Sequence, residues 1–146
     1  MNALFSQPAF QLYVISSAVL TVILYALAAM TGKTRERRRA VVNAEDVKVY
    51  NGAAVVEVEH PDVQRIKRAH LNGIENAVPF FVIGLLYALT NPNLILVRGL
   101  FVTFVGVRLL HAVFYLTARQ PYRAASFAVG MLINLVMVVQ VLRAAL

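Results

Sequence analysis

The sequence predicts an all-α integral membrane protein, a four-transmembrane-helix bundle. Its 146 residues are 60% hydrophobic and only 14% charged, whereas a soluble domain of this size carries about a quarter charged residues. Four long apolar runs follow one another along the chain, and each is long enough to cross a bilayer, which takes about 20 residues. All acidic residues lie between Glu36 and Glu75, so the first, third and fourth runs contain no carboxylate.

The composition argues against several functional classes. The net charge is +7, with most of the basic residues between Lys33 and Arg68. A nucleic-acid binder is not built mainly of apolar runs, so we expect no nucleic-acid partner and interpret the positive charge as a signal of membrane orientation. The absence of cysteine excludes a disulfide framework and a cysteine nucleophile. The scattered positions of His60, His70 and His111 do not predict a zinc site, so we expect no metal.

The first predicted helix covers residues 8–32, because the run that begins at Pro8 is long and almost wholly apolar. A polar loop, residues 33–62, follows it, and its basic residues near the helix end are Lys33, Arg35, Arg37, Arg38 and Arg39. Basic residues this close to a span mark the cytoplasmic side of the membrane. The cluster either serves only to orient the chain or also binds anionic lipid.

The second predicted helix covers residues 63–90 and changes from polar to apolar along its length. Pro61-Asp62 is typical of a helix start. Pro79 lies inside the helix and is expected to kink it. The uncharged turn Asn91-Pro92-Asn93 leads into the third predicted helix, residues 94–116.

The fourth predicted helix covers residues 122–146. Arg119 and Arg123 lie at its start and return positive charge to the side of the first loop, so both termini are expected on the non-cytoplasmic side. Arg143 is the exception, and its long side chain can reach the interface near the last turn. Residues 1–146 are interpreted as a single membrane domain.

A polar stripe on the second predicted helix marks a candidate ligand site. Arg68, Asn72 and Glu75 are spaced four and three residues apart, which places them on one helix face. Charged groups are expensive inside a membrane, so this stripe should face a partner helix or a wet cavity. We interpret it as one wall of a polar site at the membrane boundary.

The cytoplasmic ends of the other helices add further polar groups. Arg108, His111 and Tyr115 lie in the second half of the third helix, and Arg123 opens the fourth. A cationic site with one carboxylate suits a ligand with several carboxylates and one amine, and glutathione has these groups. Three alternatives remain open: Glu75 neutralises a neighbouring arginine, His111 only packs in the bundle, or Tyr115 belongs to an interfacial aromatic belt.

Two segments resemble the MAPEG family, the membrane-associated proteins of eicosanoid and glutathione metabolism. The first is residues 68–76, Arg-Ala-His-Leu-Asn-Gly-Ile-Glu-Asn, followed by Pro79-Phe80. The second, residues 115–117 and 120–130, is similar to the microsomal glutathione transferase branch. The first loop also fits, with these residues in the expected order: Thr31-Gly32, Arg35, Asn43 and Glu45-Asp46.

This resemblance implies a homotrimer that binds glutathione between neighbouring subunits near the cytoplasmic face. The glutathione-binding residues that it implies are Arg35, Arg68, Asn72, Glu75, His111, Tyr115 and Arg123, with Arg108 beside them. It also implies that Arg123 activates the thiol, with Tyr115 as the other catalytic residue. Gly73 departs from the motif, because an acidic residue is common there.

The function predicted on these grounds is an integral-membrane glutathione transferase of the detoxification type. Whether it also reduces lipid hydroperoxides as a peroxidase is left open by the sequence. Glutathione is a co-substrate, the second substrate is a lipophilic electrophile that arrives from the membrane lipid, and no metal or redox cofactor is implied. The alternatives are a non-catalytic lipid-binding or scaffold protein and a prostaglandin E synthase-like isomerase. The isomerase alternative is weakened because Leu71, Ala124 and Phe127 stand where that branch has arginine, serine and tyrosine.

Compact loops and the lack of a reticulum-retrieval tail favour a bacterial inner membrane over the endoplasmic reticulum.

Overall fold

Four long helices make up most of the computed structural model, which describes residues 3–50 and 52–146; Met1, Asn2 and Asn51 lie outside the described residues. The helices are α1 (Pro8–Arg38), α2 (Pro61–Leu89), α3 (Leu94–Leu116) and α4 (Tyr122–Ala145). Each is long and apolar enough to cross a membrane. The predicted four-helix membrane fold is therefore confirmed.

The first helix is longer than the sequence pattern indicated. We expected it to end at residue 32, but α1 continues to Arg38 and the chain leaves it through Arg39, whose φ of 48° is left-handed. The added segment, residues 33–38, consists mainly of lysine, arginine and glutamate, which favour helix. Three of its four cations, Arg35, Arg37 and Arg38, lie in the last turn, where they interact favourably with the helix dipole. The loop is correspondingly shorter than the expected residues 33–62.

Local caps set where the next two helices begin. α2 starts at Pro61, two residues before the expected start, because proline suits the first helical position. His60 caps this end, and its Nδ1 accepts a hydrogen bond from the Asp62 N–H at 3.2 Å. Asn93 caps α3 in the same way, with Oδ1 accepting from the Ile95 N–H at 3.0 Å.

The helices pack so that α2 and α3 occupy the centre. Each of these two contacts all three other helices, while α1 and α4 make no contact with each other within the described part of the chain. The core contains Phe80, Phe101, Phe104 and Met137, none of which exposes any surface. The rings of Phe80 and Phe104 stack with centroids 4.6 Å apart, which joins α2 to α3.

Large apolar side chains also cover the outside of the bundle. Val22, Tyr25, Ile95 and Leu132 are each at least 60% exposed. Such extensive apolar exposure is costly in water but favourable against lipid tails. Together with the four spanning helices, it is the surface of an integral, multi-pass membrane protein.

The loop between α1 and α2 is tied to the helices at both ends. Two short strands, β1 (Ala40–Val41) and β2 (Ala54–Val55), pair in parallel. Near the end of the loop, the carboxylate of Glu59 is 9% exposed and accepts hydrogen bonds from Arg35 Nε at 2.9 Å and Lys67 Nζ at 2.8 Å. Burial tends to raise the pKa of Glu59, but the bonds from Lys67 and Arg35 outweigh it and hold this pKa below its ordinary value.

Candidate functional site

Arg108 joins α3 to α2 inside the bundle. Its side chain is only 4% exposed, and Nη2 donates to the Asn72 side-chain oxygen at 2.9 Å and to the Asn72 carbonyl at 3.3 Å. The same carbonyl accepts from Asn76 Nδ2 at 2.9 Å. The bond to Oδ1 orients the side-chain amide of Asn72, so the N–H groups of that amide have a defined direction.

The arginine is not fully satisfied by these contacts. Within residues 3–50 and 52–146, Arg108 Nη1 and His111 Nε2 are buried and have no hydrogen-bond partner. Buried polar atoms without partners are uncommon and mark strain, an ordered water or a functional role. The two atoms lie one helical turn apart on α3, within the region of the predicted site.

His111 links α3 to the start of α4. Its Nδ1 lies 3.0 Å from the Arg123 carbonyl and 3.3 Å from Ser126 Oγ. Because a carbonyl only accepts, Nδ1 must carry a proton for the first bond, and in the neutral ring Nε2 is then an acceptor. Ser126 Oγ donates to the same carbonyl at 3.0 Å. This network holds the first turn of α4 against α3.

Arg123 packs on the face of Tyr115. Its guanidinium carbon lies 4.6 Å from the ring centroid, a cation–π contact. The Tyr115 ring also makes an edge contact with His111, at 5.8 Å between centroids. In the part of the chain that the structure describes, the Arg123 guanidinium has no ion pair or hydrogen bond with a protein side chain. The tyrosine therefore positions the cation without neutralising it.

Glu75 faces a groove between α2 and α4. The groove has a volume of about 480 Å³ and is lined mostly by apolar side chains, with Glu75, Asn76 and Asn134 as its polar groups. The Glu75 carboxylate is exposed and has no ion pair among the described residues. The alternative in which it neutralises Arg68 or Arg108 is therefore not seen in the single chain.

The other two predicted arginines lie outside this buried network. Arg35 is bound to Glu59 by both Nε and Nη2. Arg68 is exposed on α2, and its Nη1 donates to Gln64 Oε1 at 3.2 Å. In the single chain, Asn72 is thus connected with Arg108. His111 and Tyr115 are connected with Arg123 at the start of α4. Three predicted residues lie apart from both groups: Arg35, Arg68 and Glu75.

Two polar residues of this region were missed from the sequence. Ser126 follows Arg123 by one helical turn, a spacing that could have indicated a shared role. Glu59 gave no signal, because an acid just before Pro61 is equally typical of an exposed helix start. No three histidine or acidic side chains of residues 3–50 and 52–146 come close enough together to hold a metal ion.

The fold and this site define a class: an integral membrane protein of four helices, with Arg108 bound to Asn72 between α2 and α3 and Arg123 packed on Tyr115 between α4 and α3. The MAPEG family model matches residues 13–143, and the chain belongs to that family. It is 36% identical over 143 residues to microsomal glutathione S-transferase 1 of Homo sapiens, covering 93% of this chain and 92% of that protein.

Two further relatives have similar coverage. Microsomal glutathione S-transferase 1 of Mus musculus is 37% identical over 136 residues, covering 90% of this chain and 86% of the relative. Prostaglandin E synthase of Homo sapiens is 33% identical over 138 residues, covering 94% and 90%. Relatives with both enzyme names therefore align with nearly the whole chain.

Proposed function

We propose that this protein is a membrane-bound glutathione transferase. The observation that carries the proposal is the Arg123 guanidinium, held 4.6 Å from the Tyr115 ring and without a carboxylate partner in the described chain. A cation in this state can stabilise a thiolate beside it, because nearby positive charge favours the ionised form of a thiol. Relatives named as microsomal glutathione S-transferases support glutathione as the source of that thiol.

The proposed mechanism has two steps. A free thiol has a pKa of about 8.5 and is mostly protonated at neutral pH. Arg123 lowers the pKa of the bound thiol, and its proton passes to solvent. The sulfur then forms a bond to an electrophilic carbon of a lipophilic substrate, and the leaving group departs with the bonding electrons. With a lipid hydroperoxide, two glutathiones yield the alcohol, water and glutathione disulfide.

The other predicted residues are assigned to binding. Glu75 holds the ammonium group, Asn72 bonds an amide, and the carboxylates go to Arg35 and Arg68. His111 and Tyr115 are the remaining residues proposed to contact glutathione, and Arg108 belongs to the binding site beside them. The burial of Arg108 and its two bonds to Asn72 support a role in orienting Asn72 rather than direct contact.

We also propose that three subunits assemble around shared sites. In a single chain Glu75 and Arg68 are exposed on helices that enter the membrane, where unpaired charge is costly. A neighbouring subunit would cover these faces and bring Arg123 of one chain to Glu75 of another. Native mass spectrometry of the purified protein tests this assembly, and an active monomer would contradict it.

The proposed placement is a bacterial inner membrane, with residues 1–146 forming one membrane domain and both termini on the non-cytoplasmic side. The basic residues at the end of α1 and the start of α4 support this orientation.

A prostaglandin E synthase-like isomerase is the second candidate, because human prostaglandin E synthase aligns with 94% of the chain. Purified protein in detergent, supplied with glutathione and either a chromogenic electrophile or a prostaglandin endoperoxide, separates the two candidates. Conjugation of the electrophile without endoperoxide isomerisation supports the transferase. Isomerisation alone supports the second candidate, and neither activity supports a scaffold.

A further inference from the structure

A second groove lies between the end of α1 and the start of α2, and none of the residues that line it is assigned to glutathione. It has a volume of about 260 Å³. Three arginines line it, Arg37 and Arg38 from α1 and Arg65 from α2. The other lining residues are Met30, Thr34, Asp62, Ile66 and Leu116. The groove therefore combines a cationic rim with an apolar wall.

The charges of the rim do not cancel. Arg38 forms an ion pair with Asp62, and His60 Nδ1 lies 3.5 Å from the same carboxylate. Arg37 and Arg65 have no ion pair or side-chain hydrogen bond in residues 3–50 and 52–146. The single carboxylate of the groove is thus already occupied, and two guanidinium groups remain to bind an anion.

The groove lies at the level of the lipid headgroups. α3 has 23 residues and so measures about 34 Å at the usual rise, which slightly exceeds a hydrocarbon core of about 30 Å. Its last helical residue, Leu116, therefore lies at the membrane boundary. Met30, on α1, is 40% exposed beside it. Arg37 is two helical turns beyond Met30, so the apolar wall lies on the bilayer side of the cationic rim.

We propose that this groove binds an anionic glycerophospholipid. Arginine forks hold phosphate with paired hydrogen bonds, and basic pockets between spanning helices bind acidic headgroups. Arg37 and Arg65 take the phosphate, and the first part of an acyl chain lies against Met30 and Leu116. A free phosphate fits only the rim and leaves the apolar wall uncovered.

The test is a titration of the full-length protein in detergent with phosphatidylglycerol, followed by native mass spectrometry. Phosphatidylcholine and inorganic phosphate are the comparison ligands. We expect phosphatidylglycerol to bind more tightly than either. In the Arg37→Gln/Arg65→Gln double variant its Kd should rise about thirtyfold, since each cation near an anionic lipid contributes a factor of about five.

The matched control is Arg98→Gln/Arg143→Gln, which removes the same charge from exposed arginines at the other end of the bundle. Its Kd for phosphatidylglycerol should equal that of the wild type. If it weakens binding as much, attraction is non-specific and the proposal is wrong. The proposal is also overturned if phosphatidylcholine or inorganic phosphate binds as tightly as phosphatidylglycerol. Should the groove variant lose its helical circular dichroism, Arg65→Gln alone tests the same contact, with a loss of about fivefold.

Discussion

Asn72→Leu should destabilise the bundle, because it removes the side-chain acceptor of a buried guanidinium. Arg108 Nη2 lies 2.9 Å from Asn72 Oδ1, and after the substitution it retains only the Asn72 carbonyl at 3.3 Å. Hydrogen bonds to charged groups contribute about 1.5–3 kcal/mol. Leucine has the same branched skeleton as asparagine but is larger, so we expect a loss of about 2 kcal/mol from the hydrogen bond, to which the fit of the larger methyl groups adds a packing cost.

A double-mutant cycle isolates this bond from other effects of the substitutions. Asn72→Leu, Arg108→Met and the double variant are unfolded in mixed micelles of dodecyl maltoside and sodium dodecyl sulfate, with helicity followed by circular dichroism. The coupling energy should be above about 1 kcal/mol, whereas interhelical hydrogen bonds in a membrane protein average about 0.6 kcal/mol.

The matched control is Asn134→Leu on α4. Asn134 Nδ2 lies 3.5 Å from the Asn76 carbonyl, and no charged group is involved, so the loss should be smaller. If the Asn72–Arg108 coupling is at or below the average of about 0.6 kcal/mol, the guanidinium does not depend on Asn72. The assignment of Arg108 as an orienting residue would then be wrong.

Three further predictions concern packing, the loop and topology. Gly73→Ala should change the free energy of unfolding by less than about 1 kcal/mol, because the new Cβ would lie 2.8 Å from Cδ2 at the end of the Leu24 side chain, which must shift, while alanine favours helix over glycine by about 1 kcal/mol. In a Leu24→Ala background, which lacks that contact, Gly73→Ala should be stabilising in the same unfolding assay, and a loss there would exclude this contact as the cause. Limited proteolysis of the loop should stay slow at neutral pH and accelerate below about pH 4.5. The pKa of Glu59 is lowered in the folded protein, so its ion pairs are complete above the unfolded-state pKa and are lost as pH falls through the folded-state pKa. Equal cleavage of wild type and Glu59→Gln at pH 7 would exclude this role. A reporter fused after residue 146 should read non-cytoplasmic, and a cytoplasmic signal would reject the orientation.

The four spans could be predicted because lipid imposes a simple requirement, about 20 apolar residues for each crossing. The end of α1 could not, because residues 33–38 are charged and resemble a loop in hydropathy while favouring helix in propensity. The charge pattern marks where the membrane ends rather than where the helix ends.

The site was predictable within each helix but not between helices. The spacing of Arg108, His111 and Tyr115 placed them close together on α3, and the structure agrees, with His111 and Tyr115 in contact. The pairing of Arg108 with Asn72 depends on the relative rotation and depth of α2 and α3, which spacing along one helix does not contain.

Glu59 was missed for a related reason. Its burial results from the path of the loop, which brings it to Arg35 on α1 and Lys67 on α2 at once. Three residues so far apart in sequence give no periodic signal. A contact of this kind becomes visible only when the chain is folded.

The ionisation of bound glutathione tests most directly whether Arg123 activates the thiol. Thiolate absorbs strongly at about 240 nm, whereas the neutral thiol does not. Adding glutathione to the wild type at neutral pH should therefore produce this absorbance. Glu75→Gln should keep it at saturating glutathione, since Glu75 is assigned to binding alone. Arg123→Ala should lose both the absorbance and turnover, and part of the turnover should return at high pH, where the thiol ionises unaided. An Arg123→Ala variant that retains the full thiolate signal and full turnover at neutral pH would contradict the assignment.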